Sequence, residues 1–128
     1  MRTRNTVALA IIAGFGLGAA TMGGIYAQAK PPVYVVAEID IANMDAYMKE
    51  FLPKAAPVVQ KYGGRLLAAS ANVTALDGRR PSRVAVQQWE SMEKVKAWHG
   101  SAEYKEIRKI GDKYAKVRIY AVEGRPPQ

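Results

Sequence analysis

The chain has no cysteine among its 128 residues and a single histidine, His99. The missing thiols exclude disulfides, zinc ribbons, a cysteine nucleophile and a lipoprotein acyl anchor, and they leave the redox compartment undecided. One imidazole, with no carboxylate pair at helical spacing beside it, does not make a metal site. No G-x-S-x-G elbow is present to hold a serine nucleophile for that imidazole, so His99 reads as a helix-end or surface residue. Neither glycine-rich segment lies between a strand and a helix with a following Lys-Ser or Lys-Thr, which excludes a phosphate loop. No catalytic residue, metal ligand or cofactor is assigned on these grounds.

What is present begins with a leader. Arg2 and Arg4 form a short basic end, Val7 to Ala20 is an uncharged apolar run, and Ala27-Gln28-Ala29 supplies small residues at alternate positions, as a signal peptidase requires. The expected division is a signal peptide over 1–29 and a mature domain over 30–128, exported to the periplasm or secreted and free of the membrane after cleavage. The competing reading is an uncleaved anchor, because no charge falls between Arg4 and Lys30. Five glycines in the stretch weaken that reading. Thr3 separates the two arginines, so the twin-arginine signal is not met. Removing Arg2 and Arg4 from the 19 Lys and Arg leaves 17 against 11 Asp and Glu, a net of +6. Such a surface favours anionic partners. Its basic residues are interspersed with acids, and nucleic acid is not among the expected partners.

The mature chain alternates between two periods. Val33 to Asp40 has a period of two, with Val33, Val35, Ala37 and Ile39 on one face and Tyr34, Val36, Glu38 and Asp40 on the other. From Asn43, a good N-cap, an apolar stripe runs through Met44, Tyr47, Met48, Phe51, Leu52, Ala55, Val58, Val59 and Tyr62. Pro53 and Pro57 interrupt it, which predicts a kink or two short helices, and Gly63-Gly64 ends it. An alanine-rich strand is expected from Arg65 to Ala71, extended by Val73 to Leu76 up to a turn at Asp77-Gly78. Arg83 to Trp89 is the third strand. Ser91 caps a second helix with Met92, Val95 and Trp98 on its buried stripe. Gly100 breaks it, Ser101 caps a new segment, and Ala115 to Val122 is the last strand. The order β-α-β-β-α-β predicts a ferredoxin-like α+β fold, a four-stranded antiparallel sheet with its helices on one face.

Such a sheet leaves its second face open. That face is expected to carry Tyr34, Val36 and Glu38 from the first strand and Arg118, Tyr120 and Val122 from the last, with Trp89 joining if its pleat turns that way. Large aromatics left in water are a poor use of a chain this small, so a second copy is expected to cover them as a homodimeric α+β barrel. Glu38 and Arg118 read either as a cross-strand ion pair or as polar groups of a small-molecule pocket. Tyr34, Glu38, Trp89, Trp98, Arg118 and Tyr120 are therefore the candidate ligand-binding residues. Trp98 and Tyr104 read first as core residues, with a pocket wall as the alternative.

Taken in order, these segments resemble the DUF1330 family. The residues carrying the resemblance are Tyr47, Tyr62-Gly63-Gly64, Asp77-Gly78, Arg83 with its valine-rich strand, Trp98, Ser101, Tyr104 and Val122-Glu123-Gly124, so it spans Val33 to Gly124. It implies a ferredoxin-like fold and a dimer but no activity. Asn43 stands where the family usually has Asp, Gln88-Trp89 replaces a Glu-aromatic pair, and Gly111 stands where Arg is frequent, with Arg108 one turn earlier. Three functions are compatible: a dimeric module binding a small aromatic or anionic ligand, a cofactor-free enzyme resembling the monooxygenases of similar barrels, and a structural or interaction protein with no small-molecule site.

Overall fold

The computed structural model describes residues 30–126. The leader, and with it the choice between signal peptide and anchor, lies outside the described residues. Among the described residues no helix is long and apolar enough to cross a membrane.

Residues Pro31–Arg125 form one compact unit. Strand β1 (Val33–Ile41) is central, β2 is Arg65–Ser70, β3 is Arg83–Trp89 and β4 is Ala115–Glu123. They make one antiparallel sheet in the order β2-β3-β1-β4. Helix α1 runs in three consecutive pieces, Met44–Ala46, Tyr47–Phe51 and Leu52–Lys61, followed later by α2 (Met92–His99) and α3 (Ala102–Asp112). This is the expected ferredoxin-like arrangement.

The helix starts are set where the side chains dictate. Asn43 Oδ1 accepts from Ala46 N–H at 3.1 Å, and Ser91 Oγ accepts from Lys94 N–H at 3.3 Å. Ser101 Oγ accepts from Tyr104 N–H at 3.1 Å while donating to the Trp98 carbonyl at 2.8 Å, which joins α3 to the end of α2. Gly63 closes α1 with a φ of 103°, a backbone shape that favours glycine.

The interruption expected around Pro53 takes the form of a π turn: over Tyr47–Phe51 the helix widens so that Leu52 N–H reaches back five residues to the Tyr47 carbonyl, and Pro53, with no amide hydrogen, follows at once. Pro57 is then carried inside the last piece. The Val73 to Leu76 extension of β2 does not form: β2 ends at Ser70, and Leu76 is 90 % exposed in a long loop. The segment alternates apolar and polar residues over 71–75, yet among the described residues no strand lies alongside it to pair. Within β2, Leu67 is an extra residue between Leu66, which faces Gln87, and Ala68, which faces Val86. This bulge sets Leu66 and Ala69 on the helix side and Ala68 on the other.

The covered face of β1 is buried along its length, with Val33, Val35, Ala37 and Ile39 as core. The core has two parts. In one, Trp89 and Trp98 sit with Val33, Val35, Val58 and Val59; in the other, Tyr47 and Phe51 sit over Ile39, Ala37 and Ala115. Gly64 is wedged beside the first part, where a Cβ would lie 2.5 Å from Trp89 Cζ2 and 2.6 Å from Val59 Cγ1. Neither neighbour is the loose end of a flexible chain. Gly64→Ala is therefore expected to cost about 1–3 kcal/mol, lowering the melting temperature by roughly 4–8 °C for each kcal/mol in a domain this size. Thermal denaturation followed by circular dichroism checks this, and an unchanged midpoint would contradict the packing described.

Candidate functional site

The covered face is not filled evenly. Ala69, Ala85 and Ala37 are register partners across β2, β3 and β1, and Ile119 closes the row on β4. Three adjacent strands thus present only methyl groups at one level. The helices rest on the bulkier levels either side, at Val35 and Trp89 on one hand and Ile39 on the other. Between them a cavity of about 200 Å3 remains. Its exposed lining residues are Ala56 and Gln60 of α1 and Leu66 of β2, so it opens at the sheet edge where α1 passes β2.

Apolar groups line most of this cavity, and the polar ones come from all three helices and β3. Tyr47 projects from the π turn of α1, Trp98 from α2, Tyr104 and Arg108 from α3, and Arg83 and Gln87 from alternate positions of β3. The π turn stacks Tyr47 on Phe51 with ring centroids 4.9 Å apart and buries both against the sheet. Trp98 is held between Trp89 and Tyr104, at 5.2 and 4.6 Å. Arg108 Nε donates to Asp112 Oδ1 at 2.9 Å and its Nη1 contacts the Tyr104 hydroxyl at 3.5 Å. Gln87 Oε1 accepts from Trp89 Nε1 at 2.9 Å.

Two donors in this lining have no acceptor: Arg83 Nε and Trp98 Nε1 are both buried and unpaired. A buried donor left unmade costs about 1–3 kcal/mol. No Asp or Glu lines the cavity, whereas two arginines do. Burial pushes the Tyr47 hydroxyl up to about 12, against the opposing pull of Arg83 and Arg108. Burial also raises Tyr104, again opposed by Arg108. Both phenols are therefore protonated at neutral pH. The site offers cationic and neutral N–H and O–H donors to whatever enters it, and no His or carboxylate to act as a base.

The candidates named from the sequence fall into two groups on opposite sides of the sheet. Tyr34, Glu38, Arg118 and Tyr120 share the open face, as expected. There Tyr120 donates to Glu38 Oε2 at 2.7 Å, and Arg118 Nη1 lies 3.9 Å from the same oxygen. Glu38 and Arg118 are direct cross-strand partners. They lie outside the cavity lining. Trp89 does not join them: it pairs with Val33, so its pleat turns it under the helices, where it is 1 % exposed. Trp98 is likewise beneath the helices, and it does line the cavity. Sequence reasoning assigned no site role to Tyr47, Arg83 or Gln87; it offered Tyr104 only as a pocket wall secondary to a core role, and Arg108 only as a partial substitute for an arginine at position 111. The available signal was the alanine content of β2 read jointly with Ala37 and Ala85, which needs the strand register before it means anything.

Residues 32–125 match the model of a family described as a domain of unknown function, DUF1330. A comparison with curated protein sequences finds no match. Among solved structures the chain is similar to a protein of unknown function from Rhodopseudomonas palustris, at 14 % identity and a TM-score of 0.64 over 84 % of this chain and 94 % of that one. It is also similar to SnoaB, a cofactor-independent oxygenase from Streptomyces nogalater, at 9 % identity and a TM-score of 0.56 over 74 % of this chain and 94 % of that one. A putative antibiotic biosynthesis monooxygenase from Nitrosomonas europaea is similar at 14 % identity and a TM-score of 0.53, over 78 % and 95 %. At these identities the likeness is one of fold.

The raised Tyr47 value has a pH consequence. The folded chain holds that proton more tightly than the unfolded chain, so the associated stability is complete below the ordinary tyrosine value near 10 and is lost as pH rises toward about 12. Denaturant unfolding between pH 9 and 12 is expected to show falling stability across that window, and Tyr47→Phe to flatten the fall. An equally steep fall in the variant would remove Tyr47 as its source.

Proposed function

The chain belongs to the DUF1330 family, and from that premise we propose that it is an exported homodimeric module that binds a small aromatic or anionic molecule beneath its helices. The observation carrying the binding reading is the pair of buried, unpaired donors, Arg83 Nε and Trp98 Nε1, in the lining of a cavity floored by the alanine row. Apolar walls with a few convergent polar groups are the usual form of a small-molecule site. The volume of about 200 Å3 suits one substituted ring, since an apolar cavity of about 150 Å3 takes up benzene.

The pairing reading is supported by the opposite side of the sheet. Tyr34, Val36, Val84, Val86, Tyr120 and Val122 are neighbours there by register, and Tyr120 and Val122 are 46 % and 52 % exposed. Withdrawing even a few hundred Å2 of apolar surface from water contributes several kcal/mol, at about 25 cal/mol per Å2. A second copy offers a matching face through two-fold symmetry. The oxygenase reading has the fold of SnoaB behind it and nothing in the lining that would act as a base; the reading without a small-molecule site leaves the two donors unexplained.

Ala85→Leu is expected to fill the centre of the cavity. The variant should be more stable than the parent by about 0.5–2 kcal/mol and should lose every thermal shift that small aromatic or acidic molecules produce in the parent. A ligand that still shifts the filled variant would place binding elsewhere. Tyr120→Lys replaces an aromatic ring on the open face with a further cation beside Arg118, and sedimentation should show a weaker dimer; an unchanged dimer would exclude that face as the interface.

A further inference from the structure

We infer that the occupant of the cavity is a monocarboxylate with a body the size of one ring, held with its carboxylate on Arg83 and its ring among Trp98, Phe51 and the alanine row. This rests on the reading of the cavity as a small-molecule site. Charge fixes the sign and the valence. The lining carries two guanidinium groups and no carboxylate, which excludes cationic ligands. One of the two, Arg108, already has Asp112 on its Nε and the Tyr104 hydroxyl on Nη1. Arg83 has no such partner. One uncompensated positive charge therefore remains, and it matches a monoanion better than a phosphate dianion.

Geometry then chooses the anion's shape. The unpaired group on Arg83 is its Nε, which is buried, and Nε with the adjacent terminal nitrogen forms one fork of the guanidinium. That fork fits the two oxygens of a planar carboxylate side by side. Arg83 is the first residue of β3, and the preceding Ser82 accepts the Ile41 amide through Oγ at 3.0 Å, so the strand start is tied to β1. The second unpaired donor, Trp98 Nε1, and the protonated Tyr47 and Tyr104 hydroxyls suit a further acceptor oxygen on the same molecule. The remaining wall is aromatic and methyl, which solvates a flat apolar body.

The chain has two tryptophans; Trp98 lines the cavity and Trp89 stacks on it. Intrinsic fluorescence thus reports on the site. Titrations of the purified protein with benzoate and with benzamide, its neutral counterpart of the same shape, test the assignment. Benzoate should bind at least tenfold more tightly than benzamide, and more tightly than phenyl phosphate. Arg83→Gln, shown by circular dichroism to be folded, should bring benzoate down to the benzamide level without weakening benzamide. Arg83→Lys, which keeps the charge and loses the fork, should fall between them. Benzamide binding as well as benzoate, or a preference that survives Arg83→Gln, overturns the carboxylate assignment while leaving the cavity a binding site. If neither compound perturbs the parent and Ala85→Leu behaves identically to it, the cavity reading falls as well.

Discussion

The register of β1 between β3 and β4 is the constraint from which the rest of this molecule follows. Residues at odd positions from Val33 to Ile39 face the helices, and those at even positions from Tyr34 to Asp40 face away. The two sides differ chemically. A slip of one residue would put Glu38 under the helices and Val35 outside them, so the alternation itself protects the pairing. Because β1 is central, its pleat is transmitted to both neighbours: Gln87 and Ala85 follow Val35 and Ala37, and Ala121 and Ile119 do the same on the other side. Trp89 is fixed in this way. Its partner is Val33, and it has no freedom to turn outward.

On the covered side the sheet alone does not define a cavity; the irregularity of α1 does the rest. The π turn places Tyr47 and Phe51 as a stacked pair over one end of the sheet, while Val58 and Val59 of the regular piece pack with Trp89 and Trp98 over the other. The helix is thus propped at two places and passes over the alanines between them. Gly111 completes the arrangement, since a Cβ there would lie 2.7 Å from Phe51 Cδ1. The Phe51 ring occupies the space that a longer residue would need, and the basic group of α3 reaches the cavity one turn earlier, from Arg108.

The fold was legible because its signals are local. The period of two in Val33 to Asp40, the caps at Asn43, Ser91 and Ser101 and the stop at Gly63-Gly64 each act within a few residues, and each is found where the pattern puts it. The misplaced strand is also local in cause: Val73 to Leu76 has the residue types of a strand, but among the described residues nothing pairs with it. The site was less legible for a different reason. A cavity is a deficit of volume summed over three strands, and no single segment announces it. Ala37, Ala69 and Ala85 each look like ordinary small core residues until the register sets them side by side. The open face is the more conspicuous one in the sequence, because aromatic and charged residues alternating on a strand are visible in one dimension.

The size of that deficit bears on how it is to be understood. An apolar cavity of about 200 Å3, left dry, would cost about 5 kcal/mol at about 24 cal/mol per Å3. A domain of this length commonly has about 5–15 kcal/mol of stability in total. Larger residues at Ala37 or Ala85 would recover part of that cost. Water entering at the α1–β2 edge offsets some of it, and water also reaches polar donors; yet most of the wall is methyl and aromatic, where water gains little. A cavity with that lining is best relieved by a molecule with an apolar body and an anionic end. Such an occupant would satisfy Arg83 and Trp98 with one set of atoms and cover the alanine row with another. The same strand that floors the cavity with Ala37 presents Val36 and Glu38 to the other side. Filling one face and covering the other would therefore act on a single backbone.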